Sequence, residues 1–150
     1  MELLDPNASL DGIPGTAVTV GTFDGVHRGH QDVLARLVRR ARTSGLPSLL
    51  VTFEPHPLEV VNPAAAPLLL TTREEKLAAL STTGLDLVAI VPFTPALAAQ
   101  SAEAFVDDGL LARFRMRELL IGHDHGFGRG REGDVETLRS LGATRGFGVE

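Results

Sequence analysis

The sequence predicts an α/β fold, a doubly wound parallel sheet. Short apolar strands alternate with amphipathic helical stretches, the later strands are near-continuous hydrophobic runs, and a glycine-rich segment joins the first strand to the first helix. Runs of that kind are expected where helices cover both faces of a parallel sheet, because no strand position then faces water.

The elements follow in order. Residues 1–16, ending Ile13-Pro14-Gly15-Thr16, predict a loose N-terminal arm, since proline and glycine punctuate the stretch and no periodicity crosses it. Ala17-Val18-Thr19-Val20 is a short, largely β-branched strand. After the segment Gly21 to Gly29, residues Val33, Leu34, Leu37, Val38 and Ala41 fall on one helical face, and Gly45-Leu46-Pro47 ends that helix. Ser48-Leu49-Leu50-Val51-Thr52-Phe53 forms the second strand and runs into the turn Glu54-Pro55-His56-Pro57. Thr72 and Glu75 have capping-box spacing ahead of a helix carrying Leu77 and Leu80. Leu85 to Val91 is the third strand. A helix from about Ser101 packs Phe105, Leu111 and Phe114 and leads to the fourth strand, Glu118-Leu119-Leu120-Ile121. Asp134 caps a last helix through Val135, Leu138 and Leu141, and Gly146 to Glu150 resembles the first half of a fifth strand.

Composition narrows the function classes. The 150 residues suit one domain, and 43% hydrophobic content suffices for a substantial core. Cysteine is absent, which removes disulfides, thiolate metal sites and a Cys nucleophile. The net charge of −5, from 14 cations and 19 anions, argues against wholesale wrapping of nucleic acid, and no apolar run approaches the ~18 residues needed for a membrane helix. Met1-Glu2-Leu3-Leu4-Asp5 carries an acid where a secretory signal carries bases, so a cytoplasmic protein is expected. Arg36, Arg39, Arg40 and Arg42 are expected to form a solvated helix face.

Three clusters follow strand ends, where an open parallel sheet gathers its ligands. The first is Gly21-Thr22-Phe23-Asp24-Gly25-Val26-His27-Arg28-Gly29-His30. Its glycines allow backbone to approach a phosphate, and His27 and His30, three apart at a helix start, are spaced to face one ligand. The Gly-Lys-Ser/Thr ending of a P-loop and the G-x-G-x-x-G spacing are both missing, which turns the reading from hydride transfer toward nucleotidyl transfer. The second cluster, Thr52-Phe53-Glu54-Pro55-His56-Pro57, is a stiff turn suited to presenting Phe53 and His56 to a flat ring. The third, Gly122 to Gly133, combines glycines with Phe127, Arg129 and Arg131 and suits phosphate or adenine contact. His123-Asp124-His125 within it lacks the further ligands that a tetrahedral metal site requires, so no protein metal site is expected.

Together these clusters resemble the FMN adenylyltransferase domain of bacterial FAD synthetases, over about residues 17–150. The resemblance extends to Leu70-Thr71-Thr72-Arg73-Glu74-Glu75-Lys76, to Pro92-Phe93 and to Ser101-Ala102-Glu103-Ala104-Phe105. It implies a Rossmann-like sheet of the HxGH nucleotidyltransferase type. It also implies condensation of FMN with ATP to FAD and pyrophosphate, with Mg²⁺ held mainly by ATP phosphates. By that resemblance His27 and His30 are catalytic, and Gly21, Thr22, Phe23, Asp24, Gly25 and Gly29 shape the ATP pocket. Phe53, Pro55, His56 and Pro57 border the flavin, and Asp124, Phe127, Gly128 and Arg129 line the region where flavin and adenylate meet.

Two departures stand out. His125 replaces the aromatic residue common after the Asp or Asn of the third motif, and no Ile-Ser-Ser-Thr-x-Ile-Arg-like segment occurs. The expectation is therefore an adenylyltransferase domain incomplete at its C-terminal end, without the riboflavin kinase domain that usually follows it, and partnered by small molecules rather than nucleic acid or membrane. The alternatives are a catalytically silent nucleotide- or flavin-binding module and an HxGH nucleotidyltransferase acting on another small phosphate ester.

Overall fold

The computed structural model describes residues 1–4, 10, 12–22, 28–54, 57, 60, 62–65, 72–121 and 135–150, with residues 28–30 and 65 described by backbone alone. The strands are β1 (Glu2–Leu4), β2 (Thr16–Val20), β3 (Ser48–Glu54), β4 (Leu87–Pro92), β5 (Met116–Leu119) and β6 (Gly148–Val149). They form one six-stranded sheet in the order β1-β4-β3-β2-β5-β6, and every neighbouring pair is parallel. Helix α1 (Arg28–Ser44) connects β2 to β3, and α2 (Arg73–Leu80) lies between β3 and β4 in the chain. A short helix α3 (Pro95–Ala98) precedes three consecutive helical pieces, Ala102–Ala104, Phe105–Leu111 and Ala112–Phe114, here called α4, of which the middle piece is π-helical. Helix α5 (Val135–Arg145) leads to β6.

Alternation along the strands sorts the core into two layers. Val18, Leu49, Val51, Leu87, Ala89, Leu119 and Ile121 pack with Phe105, Val106, Leu110 and Phe114 of α4 and Leu138 of α5. Ala17, Leu50, Val88 and Leu120 point the other way, onto Leu34, Leu37 and Ala41 of α1 and Leu80 of α2. Successive residues thus serve opposite faces, which is why the strands had to be apolar throughout. Each fully buried Leu contributes about 1.5–3 kcal/mol of transfer free energy.

Local chemistry fixes the element ends. Gly45 adopts φ 70°, and beyond it Leu46 N–H reaches back to Ala41 O at 2.9 Å while Gly45 N–H meets Arg42 O at 3.2 Å. That is a Schellman closure of α1. The predicted capping box of α2 is present: Glu75 N–H donates to Thr72 Oγ1 at 3.1 Å and Thr72 N–H donates to Glu75 Oε1 at 3.2 Å. Ser101 caps α4 by accepting from Ala104 N–H at 3.1 Å.

The structure corrects the reading of residues 1–16 as a loose arm. Glu2, Leu3 and Leu4 pair with Leu87, Val88 and Ala89 to extend the sheet, and Thr16 already belongs to β2. Leu4 and Leu10 are buried in the core layer under α4, and Ile13 packs against it. Burial of those apolar side chains, together with the open backbone groups of β4, gives these described residues a reason to join the sheet and its core. Arg36, Arg39 and Arg42 are exposed, as expected of a solvated helix face, with Arg40 half-buried beside them, and two of the four make ion pairs. Arg40 Nε meets Glu118 Oε2 at 3.0 Å, and Arg36 and Arg40 both pair with Glu150, so these two side chains tie α1 to β5 and the strand beside it.

Candidate active site

The strand order turns at β2. From β2 the chain proceeds through β3 to β4 on one side, and through β5 to β6 on the other. Adjacent strands that send their connections to opposite faces leave a crevice at their carboxyl ends, and ligands of open α/β sheets settle there. Here those strands are β2 and β5, and the segments that continue from them begin at Gly21 and Gly122, the first and third clusters of the sequence.

Gly21 and Thr22 stand at the mouth of β2. Gly21 N–H donates to Val51 O at 3.0 Å, so the chain remains stitched to β3 one residue beyond the strand. The Thr22 carbonyl accepts from the Thr52 hydroxyl at 3.1 Å and from the Lys76 ammonium. Lys76 Nζ also donates to Thr52 Oγ1 at 2.8 Å. Gly29 and His30 lie in the first turn of α1, the end at which a helix presents free N–H groups and partial positive charge. Between β2 and the chain just past β5, the Thr19 hydroxyl donates to Leu120 O at 3.0 Å, and Leu120 N–H donates to Val18 O at 2.8 Å. The two sides of the crevice are thereby locked in register.

Phe53, expected to border a flavin, sits near the end of β3 and is half-buried. Its ring meets Phe93 edge-on, with centroids 5.4 Å apart at 77°, and Phe105 at 6.1 Å. Because Thr52 and Phe53 are consecutive in a strand, they face opposite sides of the sheet: Thr52 toward Lys76 of α2, Phe53 toward α4. Glu54 follows at the rim, with its carboxylate 3.7 Å from Arg73 Nε and its carbonyl accepting from Phe93 N–H at 3.1 Å. Pro57 is half-buried.

Of the remaining expected site residues, Phe23, Asp24, Gly25, His27, Pro55, His56, Asp124, Phe127, Gly128 and Arg129 lie outside the described residues. The structure therefore brings together Gly21, Thr22 and the start of α1 with its His30 backbone, and places Phe53 one strand away. Phe93 and Lys76 were not singled out as site residues from sequence. Both stand in segments to which the resemblance extends, Pro92-Phe93 and Leu70 to Lys76, but neither segment marks a role for the side chain.

Comparison with known proteins gives the family. A family model described as FAD synthetase matches residues 11–150. The bifunctional riboflavin kinase/FMN adenylyltransferase of Escherichia coli (strain K12) is 42% identical over 135 residues, covering 90% of this chain and 43% of that protein. The protein of the same description from Pseudomonas fluorescens is 42% identical over 136 residues, covering 91% of this chain and 43% of its own length. A putative bifunctional riboflavin kinase/FMN adenylyltransferase of Geobacillus thermodenitrificans is 38% identical over 139 residues, with 74% of its length covered. The chain thus spans less than half the length of the first two relatives.

Solved structures support the fold alone. One described as a macrolide-efflux protein from Streptococcus pneumoniae superposes with a TM-score of 0.79 at 24% identity, covering 91% of this chain and 45% of that one. The pantothenate synthetase of Thermus thermophilus gives 0.53 at 18% identity, with 93% and 55% covered. A parallel sheet whose order turns at β2, the clusters that continue from its strand ends, and a family match over nearly the whole length lead to one assignment: the chain belongs to the FAD synthetase family.

Proposed function

We propose that this chain transfers the adenylyl group of ATP to FMN. A phosphate oxygen of FMN attacks the α-phosphorus of ATP, the bond from that phosphorus to the bridging β-phosphate oxygen breaks, and FAD and pyrophosphate are the products. The observation that carries the reading is the position of Gly21, Thr22 and the start of α1 at the turning point of the sheet, where N–H groups and the helix dipole favour an anion.

His27 and His30 are assigned as donors to the oxygens on which charge gathers during transfer, a task of positioning and electrostatics that needs no covalent intermediate. Gly21, Thr22, Phe23, Asp24, Gly25 and Gly29 shape the nucleotide side. Phe53, Pro55, His56 and Pro57 border the isoalloxazine, while Asp124, Phe127, Gly128 and Arg129 line the junction of the two substrates. Phe53 supports this reading by its half-buried ring, which Phe93 and Phe105 hold from the sides.

Magnesium belongs to the proposal as the counter-ion of ATP, where it would neutralise phosphate charge. Among the described residues no group of three or more His, Asp or Glu side chains is placed to hold a metal, and the phosphates are taken as its main ligands. Among the same residues no helix is long and apolar enough to cross a membrane, and a cytoplasmic site of action is part of the proposal.

The test is to incubate the intact protein with ATP, Mg²⁺ and FMN and to separate the flavins by chromatography. FAD and pyrophosphate in equal amounts are expected. Retained ATP or FMN binding without FAD points to a silent module, and adenylylation of another phosphate ester points to a different nucleotidyltransferase; either outcome overturns the proposal.

A further inference from the structure

We propose that Lys76 is a positioning residue for adenylyl transfer, acting through Thr22 to fix the path by which the chain leaves β2 toward His27 and His30. This inference rests on the function proposed above. Three elements meet at one point: the end of β2, the end of β3 and the first turns of α2. The Lys76 ammonium donates to the Thr22 carbonyl and, at 2.8 Å, to Thr52 Oγ1, while the Thr52 hydroxyl donates to the same Thr22 carbonyl at 3.1 Å. The three groups close a triangle in which Thr22 O receives two donors, one of them charged.

Each corner of the triangle is itself constrained. Thr52 is 1% exposed, and its strand is paired on both sides. Lys76 is half-buried, and its own N–H donates to Thr72 O at 2.9 Å within the helix that the Thr72–Glu75 box begins. The cation is therefore delivered from a capped helix rather than from a waving surface stem. Thr22 is the last described residue before α1, and its neighbour Gly21 is already bonded to Val51. A stretch held at Gly21 N–H and at Thr22 O has little freedom of direction at the point where the chain leaves β2.

A device of this kind acts on the reacting geometry more than on ground-state affinity. Misplacement of a catalytic group by about 1 Å costs on the order of 10²-fold in rate. A Lys76 that acted only as a positive charge beside the crevice would instead appear in the KM for ATP, so kinetics separate the two roles.

The test compares Lys76→Met, Lys76→Arg and Thr52→Val in the intact protein, with steady-state kinetics for ATP and FMN and circular dichroism for folding. Lys76→Met is expected to lower kcat by about 10- to 100-fold with both KM values within about threefold of wild type. Lys76→Arg, which still reaches both oxygens with donors, is expected to recover most of the loss. Thr52→Val keeps the shape of the side chain, removes one donor to Thr22 and is expected to lower kcat by a smaller factor; it carries the test if Lys76→Met does not fold. Undiminished kcat in Lys76→Met, or in Thr52→Val where that variant stands in, overturns the inference. So does a loss confined to KM, or a loss that arginine does not restore. A wild-type protein that makes no FAD overturns the proposed function and this inference together, whereas a wild type that makes FAD alongside an unimpaired Lys76→Met overturns this inference alone.

Discussion

The Thr19 hydroxyl donates a 3.0 Å hydrogen bond to the Leu120 carbonyl, across the two strands at which the sheet reverses its order. Thr19 is 1% exposed and Leu120 likewise 1%. Leu120 N–H also donates to Val18 O at 2.8 Å, so just past the last paired residue of β5 the strand end is held to β2 by one backbone bond and by the threonine, where both strands turn into the clusters assigned to the site.

Thr19→Val should therefore destabilise the fold out of proportion to its size. Valine reproduces the shape but leaves a buried carbonyl without this donor, and such a loss costs about 1–3 kcal/mol. Chemical denaturation of the two proteins measures it. An unchanged midpoint would show that the carbonyl has an equivalent partner and that the threonine is not what holds the strands together.

His27→Ala and His30→Ala, made separately, should each slow FAD formation by about 10²–10³-fold, the size of a lost transition-state donor at ~3–4 kcal/mol. The dissociation constant of ATP should change far less, because the donors act mainly on charge that appears during transfer. Single-turnover rates and equilibrium binding measured on the same preparations check the split. Near-normal turnover in both variants removes the two histidines from the mechanism.

The sheet and its two layers were legible because burial on both faces leaves a one-dimensional trace: Leu49-Leu50-Val51 has no polar position to hide. Capping chemistry was legible for a similar reason, since Thr72 and Glu75 are three residues apart and satisfy each other locally. Boundaries slipped by a residue or two. The fourth strand was expected at Glu118–Ile121 and is Met116–Leu119, with Leu120 and Ile121 still hydrogen-bonded to neighbouring chain. Glu2–Leu4 escaped notice because three residues make no period, and their reason to be a strand is the edge of β4, far along the chain. The same holds for Arg40 with Glu118 and for Lys76 with Thr22: polar partners distant in sequence leave no pattern to read. The expected clusters fall where the strands end, but His27, Asp124 and Phe127 lie outside the described residues, so their roles stand on resemblance.

Gly142→Ala should lower stability even though alanine is the better helix former by ~1 kcal/mol. A methyl group at Gly142 would stand 2.6 Å from Phe147 O and 3.2 Å from Val149 Cγ2. The first of these is backbone, which cannot rotate away, and it belongs to the turn that Gly146 and Phe147 make by bonding back to Gly142 O. Displacing it pushes β6 from β5. A net loss of about 1–3 kcal/mol is expected, read from thermal or denaturant unfolding. A stabilised variant would mean that α5 slides freely against β6.

Acid should weaken the junction between α4 and α5 in a way that one residue reports. Arg145 Nε lies 2.7 Å from Asp107 Oδ1, and Arg145 also pairs with Glu103. The hydrogen bond from Arg145 holds the Asp107 carboxyl below its ordinary value of 3.8, more than burial raises it. Above that ordinary value both the folded and the unfolded chain carry the aspartate ionised, and the full stabilisation is present. As pH falls below it, the unfolded chain takes up the proton first, and the stabilisation drains away until the folded carboxyl is protonated as well. Asp107→Asn should accordingly have a lower melting temperature than wild type at neutral pH, with the gap narrowing as pH is brought down through and below 3.8. With the Asp107 side chain 39% exposed, water and salt screen much of the attraction, so the gap should also shrink on adding salt. Melting curves of both proteins across pH and ionic strength give the comparison, and a gap that holds constant into acid would assign the loss to packing of the π-helical turn rather than to the ion pair.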